Sequence, residues 1–363
     1  MVDLILESVR LHHFTLPLKR SFNVANASVA TRQGVLLTVT TDSALTASGE
    51  ASPLPGLHSE TIGTVVTELK KFKQQFTGRT LIDSPRNVKE ALQNVLNDFP
   101  ASPSVRFAVE TLFVGLWAQQ AGKSVAQYLS NTSRQNVRLN ALLWGELQTM
   151  LQQSAEFVAL GFRSLKIKVG RHALQDELAQ LKRLLQVLPP SVQIRLDANR
   201  LWTLEQAKTL QSLPRERIEY VEEALQNPND IPAFYQATGL PVALDESLKS
   251  PEAHTLLNLE GVKALVLKPT VLGAIQTLQW AQLAQKHRQK IIISDTFSSG
   301  IGINNLAHWA AALNYRTAHG LHTYALLTDD VLNPRLTLKQ GRLKLLSDKE
   351  IYERIQWSKL SEL

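Results

Sequence analysis

Cysteine is absent from this chain of 363 residues. Its absence excludes disulfide bonds, thiolate metal sites and thiol nucleophiles. The opening stretch MVDLILESVR lacks the basic segment and apolar core of a leader peptide, and no apolar run is long enough to span a bilayer. We therefore expect a cytoplasmic protein that does not bind a membrane.

Clustered positive charge is also missing, although the formal net charge is +7. Lysine and arginine are scattered, without a basic block or a patch interleaved with aromatic residues, which disfavours nucleic acid as a partner. A general positive field would instead favour a small anionic substrate, and a merely solvated basic surface is the simpler alternative. The contents of hydrophobic residues (44%) and charged residues (20%) are normal for a globular protein, and the length suits two domains.

Two common kinds of catalytic site are disfavoured as well. No G-x-S-x-G motif is present, which argues against a Ser-His-Asp hydrolase. The nine histidines show no metal-ligand spacing, and we expect His308 to lie on a helix face. The carboxylates and the lysines are therefore the candidate catalytic groups.

Polar residues end five short apolar runs between residues 163 and 270. The runs are LKIKVG with Lys166 and Lys168, IRLDAN with Asp197 and Asn199, YVEEA with Glu222 and Glu223, VALDES with Asp245 and Glu246, and ALVLKP with Lys268. Successive charged residues are separated by 23 to 29 positions, which is the length of one strand, one loop and one helix. This spacing predicts successive βα units, whose strand ends face one shared barrel mouth.

The residue types at this mouth indicate metal-assisted proton chemistry. Three converging carboxylates would repel one another, and a divalent cation that neutralises them explains their presence best. Ligation by oxygen alone suits Mg2+, with Mn2+ as a possible substitute. Alternation along the strand places Lys166 and Lys168 on the same face, where the charge of the first should help the second to lose its proton, as a general base requires.

The N-terminal region has a different pattern. SVRLHHFTLPL and GVLLTVTT alternate as antiparallel strands do, with the turn-prone stretch SFNVANAS between them, and LTASGEASPLPG continues as a third strand. Helical patterns follow at residues 60–76, 86–97 and 104–122, the last with Gly122 as its C-cap. This pattern predicts an α+β domain over residues 1–130.

A barrel is predicted to follow, with amphipathic helices such as HALQDELAQLKRLLQVL between its strands. The predicted strands lie near 137–144, 164–169, 192–197, 218–222, 241–245, 264–268 and 290–294, with a short eighth near 319–321.

The motifs K-x-K, D-A-N, E-E, D-E-S and K-P-T, in this order, resemble the enolase superfamily. Within it they resemble the branch that contains muconate lactonizing enzyme, o-succinylbenzoate synthase and dipeptide epimerases. The resemblance implies an α/β fold with a (β/α)7β TIM-like barrel at residues 131–325. It also implies an α+β capping domain built from residues 1–130 and a C-terminal segment, 326–363, whose stretch LTLKQGRLKLL returns to the cap as a hairpin.

The same resemblance assigns roles to the strand ends. The implied catalytic residues are Lys168, Lys268 and Lys166, and the implied Mg2+ ligands are Asp197, Glu222 and Asp245. Glu223 could replace Glu222, because the sequence does not resolve which of the two faces the mouth.

Substrate contacts are expected from the cap and from the strand ends. The cap stretch GEASPLPGLHSET suits a rigid turn, and it also resembles the loop of o-succinylbenzoate synthases, which suggests contacts from Leu54, Pro55 and Gly56. The cap loop over residues 20–28 is also expected to contact substrate. The candidate contacts from the barrel are Asn199, Ser294, Thr296, Ser298, Ser299 and Gly300.

Free backbone N–H groups over residues 298–302, where a helix is predicted to begin near Gly300, could hold a substrate carboxylate. An ordinary helix N-cap is the alternative.

Two lysines beside a metal leave two reactions open, because removal of an α-proton gives the same metal-stabilised enediolate in both. Reprotonation would make a racemase or epimerase, and loss of a β-hydroxyl would make a lyase. Many dipeptide epimerases carry an Asp-x-Asp pair after the last strand, where this chain reads HGLHTYALL.

Together with the PLPG loop, this difference favours the o-succinylbenzoate synthase activity, a Mg-dependent syn dehydration of succinyl-hydroxy-cyclohexadiene carboxylate in menaquinone or phylloquinone biosynthesis. N-acylamino acid racemase is the main competitor, dipeptide epimerase is a further one, and a non-catalytic binding barrel is a remote one. The oligomeric state stays open.

Overall fold

The computed structural model describes residues 4–24, 27–81, 85, 87–130, 134–314 and 316–363. The strands are β1 (Leu4–Val24), β2 (Ala27–Thr41), β3 (Thr46–Ala51), β4 (Thr80–Leu81), β5 (Asn136–Leu139), β6 (Ala141–Leu143), β7 (Ser164–Lys168), β8 (Gln193–Asp197), β9 (Ile218–Glu222), β10 (Val242–Leu244), β11 (Val262–Leu267), β12 (Lys290–Ile293), β13 (Ala318–His319), β14 (Leu338–Lys339), β15 (Arg342–Lys344) and β16 (Ser361–Glu362). The helices are α1 (Ile62–Phe76), α2 (Val88–Asp98), α3 (Pro103–Gln120), α4 (Val125–Leu129), α5 (Leu147–Ala159), α6 (Leu174–Val187), α7 (Leu204–Lys208), α8 (Ile231–Thr238), α9 (Ala253–Leu256), α10 (Pro269–Leu272), α11 (Ala274–Lys286), α12 (Gly300–Asn314) and α13 (Asp348–Arg354).

The cap contains an antiparallel sheet in the order β16-β1-β2-β3, with β4 paired to β1. The strands β1 and β2 are longer than predicted and extend into the stretch over residues 21–28, where Phe22 pairs with Val29 and Val24 with Ala27. The antiparallel pairing of Val24 with Ala27 keeps the reversal of the chain inside the turn-prone stretch, although the strands continue further into it than predicted, after a register shift between Pro17 and Phe22. Residues 25 and 26, which belong to the same predicted loop, lie outside the described residues.

The predicted cap helices are present as α1, α2 and α3. Helix α3 begins with proline at its first position and is buried on nearly all sides, which suits a helix that lies between a sheet and a barrel. It packs so closely on β3 that a Cβ atom at Gly49 would lie 2.1 Å from the carbonyl oxygen of Ala108. Glycine is therefore required where this helix crosses the cap sheet.

The barrel predicted from the sequence is confirmed. Strands β6 to β12 form one parallel sheet in sequence order. The barrel closes through β13, which pairs parallel with β5 and continues into a bridge between Ser294 and Gly320. Inside the barrel, under the mouth, lies a small apolar cluster of Tyr220, Ala243, Ala264, Val266 and Ile292.

The C-terminal segment differs from the prediction in one respect. The stretch LTLKQGRLKLL does form a hairpin, β14 and β15, but β15 pairs with β5 of the barrel and not with the cap. Other parts of the segment contact the cap: Leu327 forms a bridge with Leu18 of β1, α13 packs near β3, and His12 of β1 pairs with Glu362 of β16. The edge of β5 offers the hairpin unpaired backbone groups, which accounts for its position.

No helix in the described ranges is both long and apolar enough to cross a membrane.

Barrel closure depends on a neutral histidine, which makes stability sensitive to pH. The Nδ1 atom of His319 accepts the N–H of Ile293 at 2.9 Å, and its Nε2 atom bonds the carbonyl of Asn314 at 2.8 Å. Burial lowers the pKa of His319 from 6.5 to about 4. A histidine with a lowered pKa stabilises the fold fully above the unfolded value, and this contribution is lost as the pH falls from 6.5 towards 4.

We expect the free energy of unfolding, measured with urea, to fall between pH 7 and pH 5 by about 2 kcal/mol more in the wild type than in His319→Gln. The glutamine variant does not titrate at this position and serves as the reference. Equal pH dependence in both proteins would contradict the expected role of His319.

Candidate active site

The polar strand ends lie side by side at one end of the barrel. Lys168 is paired with Asp197 in the parallel ladder, and Asp197 with Glu222. Asp245 and Lys268 directly follow β10 and β11. Because the carboxyl ends of barrel strands face one mouth, these registers bring the five side chains together.

Lys166 lies at the centre of the carboxylates. Its Nζ atom is 2.6 Å from Glu222 Oε1 and 3.0 Å from Asp197 Oδ2. Burial lowers the pKa of Lys166, but the charges of Asp197 and Glu222 outweigh it and hold the pKa well above its ordinary value. Lys166 therefore stays positively charged.

Lys168, two residues later on the same strand face, is more accessible. Its side chain is 38% exposed, and its Nζ atom lies 3.1 Å from Asp197 Oδ2 and 2.7 Å from Asn199 Oδ1. The charge of Lys166, which was expected to act on Lys168, is itself offset by two carboxylates. Lys168 is distinguished by its position and its exposure more than by the charge of Lys166. It is the lysine that a substrate can contact.

Lys268 lies across the mouth from these two lysines, because β7 and β11 are four strands apart in the closed barrel. Its ammonium group pairs with the carboxylate of Asp245. Burial lowers the pKa of Lys268, but Asp245 and Glu246 outweigh this effect and raise it. Lys268 is therefore a fixed positive charge.

The negative charge around Glu222 exceeds the positive charge that Lys166 supplies. Burial raises the pKa of Glu222 to about 8; Lys166 opposes this shift, and the carboxylates of Asp197 and Asp245 add to it. Such a site gains stability from a further positive charge.

The donor set fits a divalent cation. Among the described residues, no group of three or more histidine, cysteine, aspartate or glutamate side chains is already arranged to hold a metal ion. The ammonium groups of the lysines pair with the same carboxylates instead. Yet Asp197 Oδ1, Glu222 Oε2 and Glu246 Oε2 are buried without a hydrogen-bond partner, and such oxygens are the ligands that Mg2+ prefers.

The structure distinguishes the two neighbouring glutamates. Glu223 has a positive φ of 45°, and its carboxylate is bound by the loop after β10. It accepts the N–H groups of Asp245 at 2.7 Å and Ser247 at 2.8 Å and the hydroxyl of Ser247 at 2.7 Å. Glu223 therefore fixes the loop after β10, and Glu222 is the glutamate placed among the other carboxylates.

The N-terminus of α12 is not open to a substrate in the way that was predicted. Its backbone N–H groups already donate to buried carboxylates, as an N-cap requires, so the prediction of free N–H groups over residues 298–302 was wrong. The pairs are Ser298 with Asp295 at 3.0 Å, Ser299 with Glu50 at 3.0 Å, Gly300 with Asp330 at 2.9 Å and Gly302 with Glu50 at 3.0 Å. The side chains of Ser298, Ser299 and Thr296 are buried as well, and Ser294 is half-buried.

Sequence reasoning missed two residues that connect the cap to this helix. Glu50 on β3 reaches the N-terminus of α12, and the guanidinium of Arg32 on β2 donates to the carbonyls of Ser52, Pro53 and Phe297 at 2.6, 3.0 and 3.1 Å. Burial lowers the pKa of Arg32 to about 10. Arg32 belongs to no recognisable motif, and Glu50 lies in the stretch GEASPLPGLHSET, from which only Leu54, Pro55 and Gly56 were predicted as contacts; Asp295 follows β12 closely and could have been found by that signal.

The cap loop after β3 lies against the barrel mouth. Leu54 is buried, whereas Pro55 and Gly56 are exposed, and Gly56 adopts a positive φ of 83°, as the expected turn requires. His58 Nδ1 accepts the N–H of Leu54 at 3.0 Å, so its Nε2 atom carries the proton and donates to the carbonyl of Thr270 at 3.0 Å. His58 therefore holds the cap loop against the barrel at Thr270, two residues after Lys268.

Replacing His58 with alanine is expected to lower kcat/KM about 10-fold, mainly through KM, because two hydrogen bonds that hold the loop are lost. The affinity for Mg2+, measured by calorimetry, should not change. Ser59→Ala, at an exposed neighbouring position, is the matched control. Loss of Mg2+ binding in His58→Ala would show that the cap loop does more than hold the substrate.

Comparisons with known proteins agree with this architecture. A family model described as enolase C-terminal domain-like matches residues 149–349, and one described as MenC, N-terminal domain, matches residues 6–114. The o-succinylbenzoate synthase of Klebsiella pneumoniae (strain 342) is 29% identical over 332 residues, which cover 90% of this chain and 93% of that protein.

Two solved structures share the fold. The L-Ala-D/L-Glu epimerase of Bacillus subtilis, in a substrate complex, has a TM-score of 0.81 at 21% identity and covers 94% of this chain, with 96% of its own chain matched. The dipeptide epimerase of Enterococcus faecalis V583, complexed with Mg and a dipeptide, has a TM-score of 0.80 at 23% identity, with 95% and 98% covered.

The chain therefore belongs to the enolase superfamily, through its enolase C-terminal domain-like barrel. It is an enzyme of the hydro-lyase type that its o-succinylbenzoate synthase relatives represent.

Proposed function

We propose that this enzyme dehydrates succinyl-hydroxy-cyclohexadiene carboxylate to o-succinylbenzoate, a step in menaquinone or phylloquinone biosynthesis. The observation that carries the proton chemistry of this proposal is the placement of Lys168 and Lys268 on opposite sides of one carboxylate cluster, an arrangement that racemisation would use as well. The relative from Klebsiella pneumoniae, which matches along 90% of this chain, supports the choice of reaction. The three lysines together with a bound divalent cation would outweigh the carboxylates of the mouth, which suits a small anionic substrate.

A divalent cation fits this site, and Asp197, Glu222 and Asp245 are the residues that would hold it. When bound, it would supply positive charge next to the substrate carboxylate as negative charge develops there. The Mg in the structure of the Enterococcus faecalis dipeptide epimerase supports magnesium as the ion.

Lys168 carries the proton in the proposed reaction. Its amine accepts the proton from the α-carbon as the C–H bond breaks. The resulting ammonium returns that proton to the β-hydroxyl as the C–O bond breaks, so that water leaves from the same face. One lysine therefore serves as base and then as acid.

The other two lysines stay charged. Lys268 faces the opposite side of the substrate and stabilises negative charge without transferring a proton. Lys166 holds Asp197 and Glu222 in position through its two ion pairs.

Complementation tests the proposed reaction in cells. A bacterial strain that lacks o-succinylbenzoate synthase needs added o-succinylbenzoate to make its quinone. We expect this chain to remove that requirement, and Lys168→Ala, expressed at the same level, to fail. Failure of the wild-type chain at normal expression would count against the proposed reaction.

Epimerisation is the second candidate, because the epimerase of Bacillus subtilis shares the fold over 94% of this chain. Racemisation needs proton transfer from both faces, whereas dehydration needs Lys268 only as a cation. Lys268→Arg keeps the charge, so we expect it to retain measurable dehydration and to lose racemisation of N-acylamino acids. Rapid racemisation by the wild type that Lys268→Arg abolishes, without conversion of the cyclohexadiene by either protein, would favour the second candidate.

A further inference from the structure

The side-chain amide of Asn199 lies between the ammonium group of Lys168 and the carboxylate of Glu246. Its Oδ1 atom is 2.7 Å from Lys168 Nζ, and its Nδ2 atom is 3.1 Å from Glu246 Oε1. Lys168 is the last residue of β7, and Glu246 lies in the loop after β10. The amide therefore connects two sides of the mouth. The proposed mechanism gives no role to Glu246.

The chemistry of the two neighbours fixes the orientation of this amide. An ammonium group only donates hydrogen bonds, and an ionised carboxylate only accepts them. The amide can satisfy both only with its oxygen towards Lys168 and its nitrogen towards Glu246. Rotation by 180° would place the amide nitrogen against the ammonium group and the oxygen against the carboxylate, which is unfavourable on both sides.

The backbone also holds Asn199 in an uncommon conformation. Its φ is 43°, in the left-handed region that asparagine tolerates better than most residues. The next residue, Arg200, has a φ of 61°, and its N–H donates to the carbonyl of Glu223 at 2.7 Å. Strained residues that the surrounding structure holds in place are concentrated at functional sites.

Lys168 has few other restraints. Its side chain is 38% exposed, and its other polar partner among the described residues is Asp197 Oδ2, an atom that Lys166 also contacts at 3.0 Å. A flexible lysine that shares an acceptor depends on its second contact for a defined position. Asn199 supplies that contact.

We propose that Glu246 is a positioning residue, which orients the Asn199 amide so that its oxygen holds Lys168 at the substrate. The inference rests on the proposed function in taking Lys168 as the residue that transfers the proton. A direct role in metal binding is the competing explanation, because Glu246 Oε2 is buried without a hydrogen-bond partner.

A charge-conserving pair of substitutions separates these explanations. Glu246→Gln has nearly the same shape, but its amide can either accept from or donate to Asn199, so the orientation of the Asn199 amide is no longer fixed. Asn199→Asp still accepts from Lys168 but places a second carboxylate against Glu246. In the double variant the charge moves from position 246 to position 199, so that the aspartate accepts from both Lys168 and the glutamine amide.

We expect each single variant to lower kcat about 100-fold with little change in KM, because misplacement of a reacting group by about 1 Å has an effect of this size. The double variant should recover kcat to within about 10-fold of the wild type. If Glu246 acts by binding the metal, the double variant will not recover, and Mg2+ affinity by calorimetry will fall with Glu246→Gln. That result would overturn the inference.

Crystal structures of the wild type and of Glu246→Gln give a readout that is independent of the reaction. We expect the contact between Lys168 Nζ and Asn199 Oδ1 to lengthen or to be lost in the variant. An unchanged 2.7 Å contact would overturn the inference for any substrate. An inactive wild-type enzyme in which this contact responds as expected would instead disprove the proposed function alone.

Discussion

Replacing Lys168 with alanine is expected to reduce dehydration by about 100-fold to 10,000-fold, the range for removal of a general acid–base group. The effect should appear in kcat, because Lys168 acts on the α-proton and on the leaving hydroxyl and contributes little to holding the substrate. Steady-state kinetics on the cyclohexadiene substrate at saturating Mg2+ measures it. Lys182→Ala, an exposed lysine on α6, is the matched control.

Full activity of Lys168→Ala would remove the basis for the proposed mechanism. A decrease in both KM and kcat would instead indicate that the variant binds the substrate in an unproductive position. Measurement of both constants therefore distinguishes loss of the chemical step from loss of ground-state binding.

Replacing Asp245 with asparagine is expected to weaken Mg2+ binding by more than about 10-fold, because even residues that only support a metal ligand commonly have effects of 10-fold or more. The substitution keeps the shape but removes one of three negative charges. It also removes the charge that pairs with Lys268. Isothermal titration calorimetry with Mg2+, followed by activity as a function of Mg2+ concentration, measures the change.

Asp176→Asn, an exposed residue of α6, is the control for this charge change. Unchanged activity and unchanged magnesium dependence in Asp245→Asn would show that Asp245 is not a ligand. The assignment of Asp197 and Glu222 would then need a different third donor, for which Glu246 is the nearest acidic neighbour in sequence.

The barrel and its polar strand ends could be predicted from the sequence because they depend on local periodicity. Each strand is a short apolar run, and each functional side chain sits at its end, so spacing alone predicts that Asp197 and Lys268 share a mouth. The positions of β9 and β12 agree with the prediction to within a residue. Local sequence patterns are sufficient to predict a fold that is built from one repeated βα unit.

Features that depend on a single backbone angle or on distant partners could not be predicted. The choice between Glu222 and Glu223 depends on the positive φ at Glu223, which no sequence pattern indicates. The acceptor for the N–H of Ser299 is Glu50, which lies 249 positions earlier in the chain. An isolated glutamate on a cap strand gives no sign of such a pairing.

Incubation of the purified wild-type enzyme with succinyl-hydroxy-cyclohexadiene carboxylate and Mg2+ tests the proposed reaction most directly. We expect stoichiometric formation of o-succinylbenzoate, its loss on chelation of the metal, and its recovery when Mg2+ is restored. A parallel incubation with N-acylamino acids in deuterated water measures exchange of the α-proton. Rapid exchange there, without conversion of the cyclohexadiene, would contradict the proposed reaction.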